Sequence, residues 1–333
     1  MGQSELTYLN QYLSPLTPWL EQPDVTDIYV NQPGEIWTES TSGQIERIDV
    51  PELTLQVLDR LARQIAAHSH QGISREHPIL SATIASGSRV QIVGPPATRG
   101  GVALAIRRHV VVSRTLRDYE SGGEFELANK LTINRSKMLQ ALLASNGPAA
   151  MLEEAVRQKC NILICGGTST GKSTFLNALL REIPSNERII AIEDTPEVQI
   201  PHANAVGLLA ARSELGETLV SADDLLNASL RMRPDRIILG EIRGREAFTF
   251  LRAINTGHPG SMSTIHADSP GRALEQLALL VLQSGTQLRR SDVIAYTRSV
   301  LDVIVQIDRS AGRRSIKNIE LLADAGLDAR SDA

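Results

Sequence analysis

The chain has 333 residues, 42% of them hydrophobic and 22% charged, with a net charge of −4. That length allows two domains with sizeable cores, in an ordinary globular composition. The acidic balance and an aromatic content of only 3% argue against generic tight binding to nucleic acid and against a base-stacking platform.

The first thirty residues lack a basic start followed by an apolar segment, so they do not read as a signal peptide. No apolar run approaches the roughly 20 residues of a spanning helix, so any membrane contact is expected to be peripheral or through a partner. Residues 6 to 22 place Leu6, Leu9, Leu13 and Leu16 near helical spacing, interrupted by Pro15 and Pro18. DIYV-NQPG-EIWTE (27–39) is a hairpin signal. PELTLQVLDRLARQIAAHS (51–69) has apolar residues at 55, 58, 61, 62, 65 and 66, one helical face, with Pro51 near its start. SATIA, SRVQIVG and GVALAIRRH follow as short strands joined by Gly/Pro turns. Residues 1–110 are therefore expected to form a small α+β domain with an antiparallel sheet.

From 111 to 136 the pattern dissolves into RTLRDYESGGEFE and neighbouring residues, a linker or hinge. From 137 to 333, strands near 161–165, 188–193, 205–210, 236–240, 262–266 and 301–307 alternate with helices near 148–159, 172–182, 222–231, 245–255, 270–283 and 290–299. That alternation predicts a mostly parallel sheet with helices on both faces, so the fold class is α/β overall. The last twelve residues, LADAGLDARSDA, have no periodicity and read as a frayed tail. The two cysteines, Cys160 and Cys165, flank the first strand of this alternation. They make no disulfide framework, suit a reduced cytosolic setting, and read as small buried apolar side chains.

The chemistry begins at ICGGTSTGKST (164–174). Gly166, four residues, Gly171, Lys172 and Ser173 satisfy G-x-x-x-x-G-K-[ST], between an apolar strand and FLNALL, a helix. In a phosphate loop, the backbone N–H groups of Gly166, Gly167, Thr168, Ser169, Thr170, Gly171 and Thr174 line one hollow, and the helix N-terminus adds positive potential. Lys172 reaches the β- and γ-phosphates, and the Ser173 hydroxyl completes a Mg²⁺ shell. Phosphoryl transfer to water further needs a metal-holding acid, a residue that orients water and positive charge for the transition state. RIILGEIRG (236–244) ends an apolar strand in Gly240-Glu241 where a strict acidic-strand motif has Asp, so the metal role falls to Glu241. RIIAIEDTPEV (188–198) ends in Glu193, Asp194 and Glu197, any one of which could orient or deprotonate water. TGHPGSMSTIHADSP (256–270) offers His258 and His266. Their spacing does not suit zinc. A neutral ring there is either a structural histidine or a donor that senses the γ-phosphate. Arg89 and Arg107 belong to the first domain and meet the phosphates only if that domain closes over the second, coupling nucleotide state to rotation. Arg243 is a further candidate.

With these motifs in this order, the chain resembles the secretion ATPases, the hexameric motors of type II and type IV secretion and of type IV pili. The resemblance runs from DVTDIYVNQPGEIW through GSRVQIVGPP and AIRRH to GGTSTGKST, AIEDTPE, IILGEIRG and TGHPGSMSTIHA. It implies a RecA-like phosphate-loop domain, ATP with Mg²⁺ as the nucleotide and metal, and Gly-Glu as the normal form of the acidic strand motif. It singles out Glu197 to act on water with Glu193 supporting, and it places Arg89 and Arg107 in stretches that contact the γ-phosphate. The sequence has no long N-terminal extension and no four-cysteine insert, so within the family it is most similar to the type IV secretion branch, with pilus-retraction and tight-adherence motors as alternatives. The branch implies a homohexamer at the cytoplasmic face of the inner membrane, with other secretion components as partners, in conjugation or effector export. A linker of this length implies that a domain can pack on a neighbouring subunit. Two other classes stand beside the motor: a DNA-translocating ATPase and a nucleotide-switched scaffold. A small GTPase is disfavoured, because N-K-x-D is missing.

Overall fold

The computed structural model describes residues 3–109, 115–123, 125, 135–211, 216–310 and 312–322. The N-terminal part contains α1 (Gln3–Leu13), α2 (Thr17–Leu20), β1 (Val25–Val30), β2 (Glu35–Ser40), β3 (Ile45–Asp49), α3 (Leu55–His68), β4 (Ile79–Thr83), β5 (Arg89–Val93) and β6 (Ala103–Arg107). Its sheet has the order β3-β2-β1-β6-β5-β4, and every pairing is antiparallel. The turn between α1 and α2 falls at Pro15, where the chain loses a helical donor, and Pro18 is accommodated in the first turn of α2.

Alternation along the strands sorts side chains between two faces. Ile28, Val30, Ile92, Leu104 and Ile106 join Leu9, Leu13, Leu16, Leu58, Leu61 and Ile65 in a core between sheet and helices. Tyr29, Val93, Ala97, Ala103 and Ala105 point the other way, into a core shared with the C-terminal part. Alanines on that face let the two parts approach closely. The helix expected from Pro51 begins instead at Leu55, because the Thr54 hydroxyl caps it by accepting from the Val57 amide at 3.3 Å. Leu55, at the first helical position, is 50% exposed and not part of the core.

The C-terminal part contains α5 (Arg135–Arg157), β7 (Ile162–Cys165), α6 (Lys172–Leu180), β8 (Ile189–Glu193), β9 (Ala205–Leu209), α7 (Ala222–Ser229), β10 (Arg236–Ile242), α8 (Glu246–Asn255), β11 (Met262–Ile265), α9 (Pro270–Gln283), α10 (Arg290–Val300), β12 (Val303–Ser310) and β13 (Arg313–Leu321). Between the two parts lies a short helix, α4 (Leu116–Ser121), closed by a capping box of Thr115 and Asp118. It lies within the expected linker, whose last two residues already belong to α5 and of which residues 111–114, 124 and 126–134 lie outside the described residues. So does the tail beyond Leu322. The helix expected from 148 begins there: Gly147, with φ of +85°, breaks the run Arg135–Arg157, and a separate helical stretch from Arg135 precedes it.

The second sheet has the order β13-β12-β7-β11-β10-β8-β9 and is parallel except for β12 with β13. Its central strands are buried on both faces, as expected for a parallel sheet covered on both sides. Ile162 and Ile164 face a core with α5 and α6, whereas Leu163 and Cys165 face α7 to α10. Both cysteines are buried thiols outside any disulfide, and burial pushes Cys165 up to about 12. The thiolate needed for reactivity is therefore suppressed.

A polar network crosses between the two parts. Arg188 is fully buried, with its guanidinium 4.2 Å over the Tyr29 ring. It donates to Asn31 Oδ1 at 2.7 Å and to the Met232 carbonyl at 3.1 Å. Tyr29 donates to Glu39 at 2.6 Å, and Arg233 donates to the other Glu39 oxygen at 2.7 Å. Burial pulls Arg188 down to about 10, opposed by Tyr29, Asp235 and Glu39. Arg188→Met leaves buried acceptors such as the Met232 carbonyl short of a donor, so we expect a loss of about 2–4 kcal/mol. Both tryptophans, Trp19 and Trp37, lie in the N-terminal part, and their fluorescence during denaturant unfolding reads the shift. An unchanged midpoint would mean that the interface does not depend on this network.

Candidate active site

The carboxyl ends of β7, β8, β10 and β11 stand side by side, which is where parallel sheets gather ligand-binding groups. After β7, the loop Gly166–Gly171 turns into α6. Gly171 begins that turn with φ of +99°, and a side chain there would press on Arg314 Cδ at 3.1 Å. The loop and its neighbours enclose a cavity of about 380 Å³ lined by Thr168 to Thr174, the acids of β8 and β10, and His266.

Lys172 is mostly buried at the start of α6. Its ammonium donates to the carbonyls of Gly166 and Gly167 at 3.0 Å each and lies 3.4 Å from His266 Nε2. Burial lowers its pKa, and the Glu241 carboxylate opposes that shift. Ser173 donates its hydroxyl to Glu197 Oε2 at 2.7 Å. The turn carrying Glu197 is fixed from two sides. Glu193 Oε1 accepts the Glu197 and Val198 amides at 3.0 and 2.7 Å. Asn177 on α6 donates to the Glu197 carbonyl at 3.1 Å and accepts from the Gln199 amide at 2.8 Å.

β10 continues two residues beyond the expected end, so Glu241 stands within the strand. Its Oε1 lies 3.1 Å from His266 Nε2, and its Oε2 accepts from Arg243 Nε at 2.9 Å. Arg243 also pairs with Asp194 at 2.5 Å. The glycine of the Gly-Glu pair now has a physical reason: a Cβ at Gly240 would stand 3.0 Å from Glu193 Cγ. An aspartate there would press on the buried Glu193, which would have to give by a few tenths of an ångström.

The structure thus brings together Lys172, Ser173, Glu193, Glu197, Glu241 and His266. It does not bring His258, Arg89 or Arg107 to them. These three line a separate and larger cleft of about 890 Å³ between the two parts of the chain, with Asp27, Arg231 and Arg233. Arg89 and Arg107 are cross-strand partners on β5 and β6, and His258 Nδ1 sits 3.3 Å from the Ala253 carbonyl. Burial lowers the His258 pKa, which favours its neutral ring. The expectation that both histidines face one phosphate is therefore not met within a single chain. The physical reason is position: His266 follows β11 directly, whereas His258 precedes that strand and lies at its opposite end.

Two residues at the site carry no signal in the sequence. Arg314, on β13, lines the phosphate-loop cavity. Arg99, from the β5–β6 connection, pairs with Glu193. Each sits on an element far away in sequence, so only the packing reveals it.

The phosphate loop on a parallel sheet, with acids at the neighbouring strand ends, defines a nucleotide-binding site of the phosphate-loop NTPase class. A family model described as "Type II/IV secretion system protein" matches residues 10–310. The chain belongs to that family. It is 36% identical over 324 residues to the type IV secretion system protein VirB11 of Bartonella henselae, covering 92% of this chain and 91% of that one. It is 38% identical over 327 residues to the type IV secretion system protein PtlH of Bordetella pertussis, covering 92% of each. Among solved structures, it matches the VirB11 ATPase from the Brucella suis type IV secretion system, in complex with sulphate. The TM-score is 0.87 at 37% identity, over 94% of this chain and 97% of that one.

Proposed function

We propose that this chain is the ATP-hydrolysing subunit of a homohexameric ring motor, which powers assembly of, or transfer through, a type IV secretion system at the cytoplasmic face of the inner membrane. The observation that carries this reading is the convergence of Lys172, the Ser173–Glu197 pair and the Glu241–His266 pair on one phosphate loop. No described helix is long and apolar enough to cross a membrane, so contact with the membrane is assigned to peripheral association and to other secretion components.

In this reading the loop amides of Gly166 to Thr174 and the N-terminus of α6 bind the phosphates, where backbone donors and the helix dipole act together. Lys172 exchanges the Gly166 and Gly167 carbonyls for the β- and γ-phosphates. Glu197, fixed by Glu193 and Asn177, orients the attacking water and takes its proton. His266 stands between Lys172 and Glu241, placed to donate to the γ-phosphate. Mg²⁺ fits the donor set. Ser173 Oγ and Glu241 are hard oxygen ligands, and Glu241 Oε1 is buried without an aligned hydrogen bond. Among the described residues no group of three or more His, Cys, Asp or Glu could hold a metal alone, which suits an ion completed by phosphate and water. When bound, Mg²⁺ draws the charge that develops on the phosphate oxygens.

Arg89 and Arg107 face the basic interdomain cleft, away from their own chain's phosphate loop. We assign them to the site of a neighbouring subunit, which makes the active site composite in the ring. The test is subunit mixing. Lys172→Ala and the double variant Arg89→Ala/Arg107→Ala are each expected to be inactive alone. Mixed and allowed to exchange subunits, they are expected to regain turnover, because intact loops then face intact arginines. No recovery despite exchange would place the arginines elsewhere.

A further inference from the structure

The β5–β6 connection leaves the first sheet and runs along β9 of the second. The Arg99 amide donates to the Gly207 carbonyl at 3.0 Å, and the Leu209 amide donates to the Ala97 carbonyl at 2.9 Å, around an antiparallel bridge between Thr98 and Leu208. This graft of backbone onto a sheet edge fixes where Arg99 starts. Its side chain then passes directly over Gly207, where an added Cβ would lie 2.4 Å from Arg99 Cδ. Only glycine leaves that path open. Beyond it the guanidinium forks. Nη1 donates to the Val198 carbonyl at 2.9 Å, and Nη2 pairs with Glu193 Oε2.

The Glu193 side chain is 2% exposed. A carboxylate so buried needs a counter-charge, and Arg99 is the one cation paired with it among the described residues. The other Glu193 oxygen holds the Glu197 and Val198 amides. A single guanidinium from the N-terminal part therefore grips the turn that carries Glu197 twice, at the Val198 carbonyl and through Glu193. We infer that Arg99 is a positioning residue, through which the N-terminal domain sets the orientation of the Glu197 carboxylate at the phosphate loop. This rests on the reading that Glu197 acts on water. It makes turnover depend on where the N-terminal domain sits, by a route separate from Arg89 and Arg107.

The test is steady-state ATP hydrolysis by the full chain, with calorimetric binding of a non-hydrolysable ATP analogue as the second readout. Arg99→Ala is expected to lower kcat by about tenfold to a hundredfold, the scale of a small misplacement at a reacting centre. KM and analogue affinity should stay within about threefold, because the loop contacts are untouched. Arg99→Lys should recover part of the loss, since an ammonium can pair with Glu193 but cannot fork to Val198. Adding Glu193→Gln to Arg99→Ala should cost little more, as both act on one turn. If Arg99→Ala melts early, Arg99→Lys carries the test by the same split of kcat from KM. A kcat within about twofold of the parent in a folded variant overturns the inference, as does a loss of analogue binding as large as that of Lys172→Ala. So does full additivity with Glu193→Gln. Normal turnover by Glu197→Gln is a different failure: it removes the role of Glu197 itself, and the inference with it.

Discussion

Lys172→Ala is expected to abolish ATP turnover while leaving the chain folded. Lys172 carries the one charge that the loop itself directs at the phosphates. Removing a preorganised donor of this kind costs about a hundredfold to a thousandfold in kcat, and loss of triphosphate affinity deepens the defect. The folded state, by contrast, has little to lose. Burial already lowers the Lys172 pKa, so the buried ammonium is held at an electrostatic cost, offset in part by Glu241. Its hydrogen bonds go to two carbonyls of the phosphate loop itself, those of Gly166 and Gly167. An ATPase assay beside a thermal melt reads both halves. Near-normal turnover would remove the phosphate loop from the chemistry, and a large drop in melting temperature would make the lost activity uninformative.

Glu197→Gln is expected to separate binding from hydrolysis. The replacement is isosteric, so it keeps a partner for Ser173 and leaves the turn held by Glu193 through the amides of residues 197 and 198. What it removes is a carboxylate that can take a proton. A general base contributes about a hundredfold to ten-thousandfold, so kcat should fall by that order while analogue affinity stays within about threefold. Titration calorimetry and single-turnover hydrolysis measure the two separately. A variant that fails to bind would show that Glu197 holds nucleotide or metal rather than water.

The strands of the parallel sheet were legible in the sequence because their core is continuous. Runs such as RIIAIE and RIILG have no polar interruption and can only be buried on both faces. The strands that the sequence does not mark are two edges. β3 and β13 are mostly exposed, and their sequences, IERID and RRSIKNIEL, carry the charges that keep an edge from pairing further. Polar strands of this kind read as loops. The phosphate loop, the Glu193–Glu197 turn, Glu241 and His266 were legible because each stands at the end of a recognisable strand. His258 was not, since spacing along the chain does not tell which end of β11 a residue occupies. Arg99 lay hidden for another reason. PPATRGG is an ordinary turn until the packing of one domain on the other lays it along β9.

The measurement that bears most directly on the account is solution mass by light scattering, with and without a non-hydrolysable ATP analogue. A ring of heterologous contacts closes at a definite number of subunits. The expected mass is about six times the 36.2 kDa of the chain, reached or stabilised with the analogue, and ATPase activity should rise with protein concentration as the ring forms. A monomer under every condition, with activity independent of concentration, would leave the phosphate loop in place and contradict the ring motor.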